Sequence, residues 1–563
     1  MKKILVLNHT RMGDLIQTTP LLAGLKKKYP GCEITLLGNV KFADVCEHTP
    51  NIDKLKILDV QQFIPQDGNE TRIIDVYRYL DTLVDELKAP GFDILVNLSH
   101  SRFSAALSRL LDIPEVHGFY SSDEGYRIIN DPWLVYFAAF LAFRKYNSFN
   151  LVDLYQLGGG VVPSGKKVLL EEKGDGKSIA PLLEKLGISE GDRVIGIQAG
   201  ASLKDRRWPP EKFAKAADLV ASERGAKVLL FGATSEKELG GQISSMMKEK
   251  NINVVGETTL AELIGLVRRC ELLITNDTGT MHIAAATGTK IVGLFLVHAF
   301  APETGPYSEG NIILQPDMEC FPCYHNTTCP HYACLEKITP EEVAQASRMI
   351  EELQDRPDLN IDAATFPEKV VVASHFDEAN FIWFRPLKKC EPQSHNILAL
   401  MYRYFFISQA VGGLKDNYWL EKLNKNYLAW TPEKAEEWTG KVQERFRKLA
   451  NAASRGLKLI SDTEAHLKKG KIEKVKEKGE EIVAVDREID ILGHAHAELR
   501  PLTRLFELGK ENLVDKDIGI MLAKTKVLYK GILLGTAGMI RIIGVWGDNS
   551  RKNNSMETAK GSL

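Results

Sequence analysis

The sequence predicts an α/β protein: two tandem units built on parallel sheets, followed by a mainly helical C-terminal region. Three observations carry this. Residues 1–160 alternate short apolar runs with helical periodicity, the same alternation restarts near Val194, and from about His395 onward the apolar spacing is helical over long stretches. Repeated strand–helix–strand alternation produces a parallel sheet covered by helices on both faces.

Residues 3–8 form an apolar run suited to a buried parallel strand, followed by a turn at Arg11-Met12-Gly13-Asp14 and a helical pattern through Leu15, Leu22 and Leu25. Strands are expected again at 33–37 and 92–98, with a helix around 74–87. In the second unit the expected strands are 194–198, 227–231, 272–275 and 291–295. Helices are expected at 210–223, opened by Pro-Pro-Glu, at 235–250 and at 280–287. The glycine- and lysine-rich stretch from Gly158 suits a connector. The expected division is 1–160, a connector 161–177, a second unit 178–355, a linker with a short strand 356–394, and a helical extension 395–563. Within that extension, the charge-dense residues 457–487 read as an exposed helix or a helical hairpin.

At 563 residues the chain is too long for one core of ordinary size. It is 44% apolar and 26% charged, with a formal net charge of -2, so no global field favours nucleic acid. The apolar run at the N-terminus is too short for a secretory signal. Residues 531–546 contain Arg541 and four glycines and fall short of the roughly 20 residues of a spanning helix. A soluble, cytoplasmic chain is expected, with surface contact to a membrane left open. Eight cysteines, four of them in one cluster, argue for reduced thiols with one local metal site rather than a disulfide framework.

The chemistry-bearing segments follow strands. Gly13 permits close backbone approach at the end of the first strand. Asp14 either caps the helix there or presents a carboxylate to a cleft, because open α/β sheets bind ligands at the carboxyl ends of their strands. After residues 194–198 comes Gly200-Ala201-Ser202, then Arg206-Arg207-Trp208, and two guanidiniums suit a diphosphate. Glu236 is either an ordinary first-turn residue or a ribose ligand. In Thr275-Asn276-Asp277-Thr278-Gly279-Thr280-Met281-His282 a strand runs into a helix whose N-terminus forms an anion site. Asp277 could accept hydrogen bonds from sugar hydroxyls, and His282 lies one turn into the helix. The alternative is a plain N-cap with a buried histidine. No Gly-x-Gly-x-x-Gly follows the first strand and no Walker pattern occurs, which argues against a dinucleotide oxidoreductase or a P-loop phosphotransferase.

Taken in order, four segments resemble glycosyltransferase family 9, whose best known members are heptosyltransferases of lipopolysaccharide core synthesis. They are Met12-Gly13-Asp14 with Thr18-Thr19-Pro20, Gly200 through Phe213, Asp277 through Ala286, and Thr304-Gly305-Pro306-Tyr307. The resemblance covers residues 1 to about 355. It implies a GT-B fold of two Rossmann-like domains and an inverting transfer that requires no metal. It implies Asp14 as general base, with Arg11, Gly13 and Thr18 on the acceptor side. On the donor side it implies Ser202, Arg206, Glu236, Asp277, Thr278, Gly279 and His282. Arg206 stands where the family usually carries a lysine, and Arg11-Met12 where it usually carries a small polar pair.

The implied partners are a nucleotide-sugar, ADP-sugar first, and a glycan or lipid-linked saccharide acceptor, at the inner face of the cytoplasmic membrane. Two other classes stand beside the transferase: a non-catalytic nucleotide-sugar or glycan-binding protein, and a nucleotide-sugar epimerase of the same fold. Cys320, Cys323, Cys329 and Cys334 have a spacing that four thiolates could use for a structural zinc, with His325 and His331 as substitute ligands; reduced thiols are the other reading.

Overall fold

The computed structural model describes residues 1–63, 73–171, 179–201, 203–324, 327, 329–389, 391–414, 418–428 and 430–560. They form two compact units: Met1–Tyr120 with Phe149–Lys389, and Ser121–Ser148 with Cys390–Leu563.

The first unit holds two sheets. In the first sheet, β1 (Lys3–Leu7), β2 (Glu33–Asn39), β3 (Lys54–Leu58), β4 (Ile94–Asn97) and β5 (Glu115–Ser121) run parallel in the order β3-β2-β1-β4-β5. β1 is central, with Leu5 paired to both Thr35 and Leu95, and Ile4 through Leu7 are fully buried. A strand buried on both faces has no polar side, which is why β1 reads as a continuous apolar run. A further short strand, β6 (Arg127–Ile129), lies in the segment assigned to the second unit.

The second sheet contains β7 (Arg193–Gln198), β8 (Ala226–Phe231), β9 (Asn251–Asn253), β10 (Leu272–Asn276), β11 (Lys290–Leu294), β12 (Ile312–Pro316), β13 (Lys369–Phe376) and β14 (Ile382–Pro386). Its order is β14-β13-β12-β11-β10-β7-β8-β9; β7 to β12 are parallel, and β13 and β14 are antiparallel. Strand order reverses beside β1 in one sheet, between β1 and β4, and beside β7 in the other, between β7 and β10. Such switch points open a crevice at the strands' carboxyl ends. The fold is therefore the GT-B arrangement of two Rossmann-like halves, with a helical unit in addition.

Three expected boundaries differ in the structure, two of them in the first unit. Residues 356–394 are not a linker: β13 and β14 extend the second sheet, and Phe381 and Leu387 are fully buried. Only their antiparallel pairing with β12 reveals this, and that pairing is long-range. Of the connector 161–177, residues 172–178 lie outside the described residues; the rest is docked, with Leu169 N donating to Thr19 Oγ1 at 3.0 Å and Val168 N to the Tyr307 carbonyl at 3.3 Å.

The second unit is helical. Pro432–Lys468 and Ile472–Ala495 form a hairpin turned at Gly470, where φ is +69°, so residues 457–487 are a hairpin rather than one exposed helix. Ser394–Val411, Arg500–Glu511 and Ile518–Lys560 complete it. Residues 121–148, expected in the first domain, belong here. Ile129 N donates to Asn512 Oδ1 at 3.1 Å, Ser148 Oγ to the Ala399 carbonyl at 3.1 Å, and Phe406 packs edge-on against Tyr136. Those partners lie some 250 to 380 residues downstream, beyond the reach of local periodicity. Residues 531–546, expected to be too short for a span, are part of one continuous helix; Ile518–Asn549 is long and apolar enough to cross a membrane by length and composition.

Candidate active site

The loop after β1 is braced from within. Asn8, fully buried, donates from Nδ2 to Thr18 Oγ1 at 2.8 Å, and Thr18 Oγ1 donates to the Asp14 carbonyl at 2.8 Å. Thr10 Oγ1 donates to Asn8 Oδ1 at 2.5 Å. The short helix Met12–Gln17 thus starts at a fixed angle without a capping side chain at Arg11. Thr18 is 1% exposed, so its hydroxyl holds the turn rather than facing a ligand. Asp14 is half-buried at the head of this helix. Burial raises its carboxyl above the ordinary aspartate range, against a hydrogen bond from Thr10 and the charge of Arg11.

Facing it from the second half is the loop after β10. Asp277 accepts a hydrogen bond from Thr304 Oγ1 at 3.2 Å. Its carboxyl is pushed up to about 6, chiefly by burial and further by the negative charge of Asp14, while Arg206 and Arg11 oppose the shift. Asp14, Arg11, Asp277 and Arg206 therefore share one polar cleft, although their loops come from different sheets. Thr278 precedes the helix Gly279–Thr287 with no side-chain cap, which leaves the first-turn amides and the positive end of the helix dipole open toward the cleft.

His282 is 4% exposed, and burial lowers its pKa to about 4, so the ring is neutral at physiological pH. It packs against Gly13, and Gly279 packs against Met12. A β-carbon on Gly13 would sit 2.8 Å from His282 Cδ2, and one on Gly279 would collide with the Met12 methyl. These two glycines let the two loops touch.

Glu236 lies in the turn Thr234–Glu236 after β8. It accepts hydrogen bonds from Gln198 Nε2 at 3.3 Å and Ala233 N at 3.0 Å, and pairs with Arg207 at 3.6 Å. Thr280 Oγ1 orients Gln198 from the opposite side at 3.1 Å. A β-carbon on Gly200 would overlap the Glu236 carboxylate, so the glycine makes room for it. A shallow pocket lined by Ile197, Ala199, Gly200, Phe231, Glu236 and Val255 opens beside it. Trp208, which follows the arginines, is fully buried and donates to the Ile338 carbonyl at 3.2 Å, so it is structural.

The structure thus brings Asp14, Arg11, Gly13, Arg206, Asp277 and His282 together, and links Glu236 through Gln198 to Thr280 at the start of the helix that carries His282. Ser202 and His325 lie outside the described residues. Sequence reasoning gave no role to Thr304, at the end of the short helix Ala301–Thr304, to Gln198 and Thr10 at or just beyond strand ends, or to Arg207 separately.

The four clustered cysteines lie after β12. Cys320 is exposed, Cys323 and Cys329 are half-buried and Cys334 is buried. Cys323 N donates to the Val297 carbonyl at 2.9 Å, and Cys329 Sγ accepts from Tyr332 N at 3.2 Å. Among the described residues, the one set of three such donors within 4.8 Å of one another is Asp490, His494 and Glu507, and the cysteines form no such set. A structural zinc at the cysteines would need the sulfurs to close in on one another.

Two Rossmann-like halves, with a carboxylate on one facing a carboxylate, an arginine and an uncapped helix N-terminus on the other, are the GT-B arrangement. Comparison with known proteins agrees. Residues 81–333 match the family model described as Glycosyltransferase family 9 (heptosyltransferase). The chain is 33% identical over 169 residues to lipooligosaccharide heptosyltransferase 2 of Campylobacter jejuni, a match covering 29% of this chain and 52% of that protein. It spans about half the length of that relative. It is 26% identical over 306 residues to lipooligosaccharide heptosyltransferase 2 of Haemophilus influenzae, covering 52% of this chain and 82% of that one. Among solved structures, a family 9 glycosyl transferase from Veillonella parvula aligns with TM-score 0.50 and 25% identity, over 62% of this chain and 97% of that one.

Proposed function

We propose that the chain is an inverting glycosyltransferase that moves a sugar from a nucleotide diphosphate, heptose from ADP-heptose first, onto a lipid-linked saccharide of the lipopolysaccharide-core type at the cytoplasmic face of the membrane. The observation that carries this is the contact of the two loops, Gly13 against His282 and Gly279 against Met12, which brings Asp14 into the field of Asp277 and Arg206.

In this reading Asp14 takes the proton from an acceptor hydroxyl as the oxygen forms its bond to the anomeric carbon. The bond from that carbon to the diphosphate breaks on the opposite face, and the electron pair leaves with the nucleoside diphosphate. Arg206 and the amides at Thr278 and Gly279 take up the charge that grows on the leaving group. Asp277 orients sugar hydroxyls, and Glu236 holds the ribose. Neutral His282 supports the loop contact near the donor. These cations and amides ask no metal of the reaction, so transfer is expected to persist in EDTA.

The test is transfer by the purified chain from ADP-, GDP- and UDP-sugars to a lipid A–linked acceptor, with Asp14→Asn beside it. A rate reduced at least a hundredfold in Asp14→Asn, with donor affinity retained, is expected. An unchanged rate removes Asp14 as base. A new sugar nucleotide appearing without acceptor identifies an epimerase instead, and donor binding without any turnover identifies a binding protein.

A further inference from the structure

The helix Ile518–Lys560 is apolar on two opposite sides. One side is in the core of the helical unit: Leu522, Tyr529, Ile532, Met539 and Ile543 are buried. Successive residues turn by about 100°, so Ile520, Val527 and Leu534, seven apart, lie on the opposite side with a drift of only about 20° per step. They are 46%, 66% and 55% exposed. Single exposed apolar residues need no account, but a straight row of three over about 21 Å is a surface without a partner.

The charge on that row is of one sign. Lys524, Lys530 and Arg541 are exposed on the same side, and residues 518–547 contain four basic residues and no Asp or Glu. Lys526 is paired with Glu464 at 2.6 Å and Lys524 with Asp515 at 3.3 Å; surface pairs of this kind are weak, and the Lys524 ammonium can exchange Asp515 for a lipid phosphate. A row of apolar side chains interleaved with cations matches the boundary between the headgroups and acyl chains of an anionic bilayer. We infer that this face of the C-terminal helix docks flat on an anionic membrane surface, with Val527 and Leu534 entering the interface and Lys524 and Lys530 meeting lipid phosphates.

Two other occupants fit less well. A second copy packed face to face about a two-fold axis would bring lysines against lysines with no acidic residue on the row to offset them. A spanning helix would expose its other side to lipid, and that side is committed to the unit. Tyr529 closes on Gly456, and its hydroxyl donates to Asp486 at 2.7 Å. Surrounding Asp486 with hydrocarbon is strongly unfavourable.

The test uses the full chain with vesicles of phosphatidylcholine alone and of phosphatidylcholine with phosphatidylglycerol. Binding is expected only to the anionic vesicles, weakening as salt rises. Val527→Glu with Leu534→Glu, and separately Lys524→Glu with Lys530→Glu, are expected to weaken it about tenfold or more while circular dichroism and the melting temperature stay unchanged. Equal binding to neutral vesicles, or no effect of either pair of substitutions, overturns the inference. So does resistance to alkaline carbonate, which marks a spanning helix, and so does a dimer in solution that Val527→Glu with Leu534→Glu dissociates.

Discussion

Gly13 and His282 are in contact across the cleft: a β-carbon on the glycine would lie 2.8 Å from Cδ2 of the buried imidazole. This one approach brings the loop carrying Asp14 to the loop carrying Asp277. His282 is packed from behind and cannot yield cheaply. Gly13→Ala is therefore expected to push the loops apart by some tenths of an ångström. Overpacking of this kind costs about 1–3 kcal/mol of stability, and misplacing a reacting group costs up to about a hundredfold in rate. Thermal melting and kcat on the same preparation check both. His282→Ala in the Gly13→Ala background should restore part of the rate, because it removes the obstacle.

The segments that meet here were legible in the sequence because each is a strand end followed by a helix start, a local pattern. Asp14, Asp277 and Arg206 could be named on that ground. Their mutual distances could not be read, because they depend on how two sheets close on each other. The same limit explains the missed elements. β13 and β14 are recognisable only through their pairing with β12, and residues 121–148 only through Asn512, Ala399 and Phe406. The zinc spacing of the four cysteines is likewise a local pattern; Cys329 and Cys320 lie near enough to Cys334 to act on its thiol, while among the described residues no three of these sulfurs lie within 4.8 Å of one another.

The cleft should respond to pH through its two carboxylates. A carboxyl raised by burial binds its proton at higher pH in the folded state than in the unfolded chain. Its unfavourable effect on stability is therefore fully present above about pH 6 for Asp277 and vanishes as the pH falls through the ordinary value of 3.8. Asp277→Asn is expected to raise the melting temperature at pH 7.5, with a gain that shrinks toward pH 4. It also removes a negative neighbour of Asp14. The acid limb of kcat, which should lie above the usual aspartate range, is then expected to move to lower pH. Melting curves and a rate profile from pH 4.5 to 8 check the two parts; a limb that does not move separates Asp14 from Asp277 electrically.

Glu236 offers a contrast, because its carboxylate is held by Gln198, the Ala233 amide and Arg207 and is not among the groups that act on Asp14. A contact to the ribose would be made equally in the ground state and the transition state, so its loss changes affinity rather than the chemical step. Glu236→Ala is expected to raise the KM for the nucleotide-sugar about tenfold and leave kcat within about twofold. Arg206→Ala should do the reverse, lowering kcat by about a hundredfold, because charge on the leaving diphosphate appears only as the bond breaks. Steady-state kinetics with both variants test the division; a kcat effect from Glu236→Ala comparable with that of Arg206→Ala would remove it.

Behind the cleft, Tyr307 links the two halves of the first unit through buried polar groups. Its hydroxyl donates to Asp153 Oδ1 at 2.7 Å and accepts from Gln156 Nε2 at 3.2 Å, and all three side chains are buried. Nearby, Asn150 Nδ2 donates to the Gly305 carbonyl at 3.1 Å. Both bonds join the helix Leu151–Gly158, or its cap, to the loop after Thr304, which itself holds Asp277. Tyr307→Phe keeps the ring and its edge-on contact with Phe376 but deletes the donor, leaving a buried carboxylate with one hydrogen bond fewer. A loss of about 1–3 kcal/mol is expected. Because the loop that positions Asp277 is fastened at this point, donor affinity should fall as well, whereas Asp153→Asn together with Tyr307→Phe should recover stability by removing the stranded charge. Denaturant unfolding of the single and double variants measures the coupling, and additive effects would show that the two residues act independently.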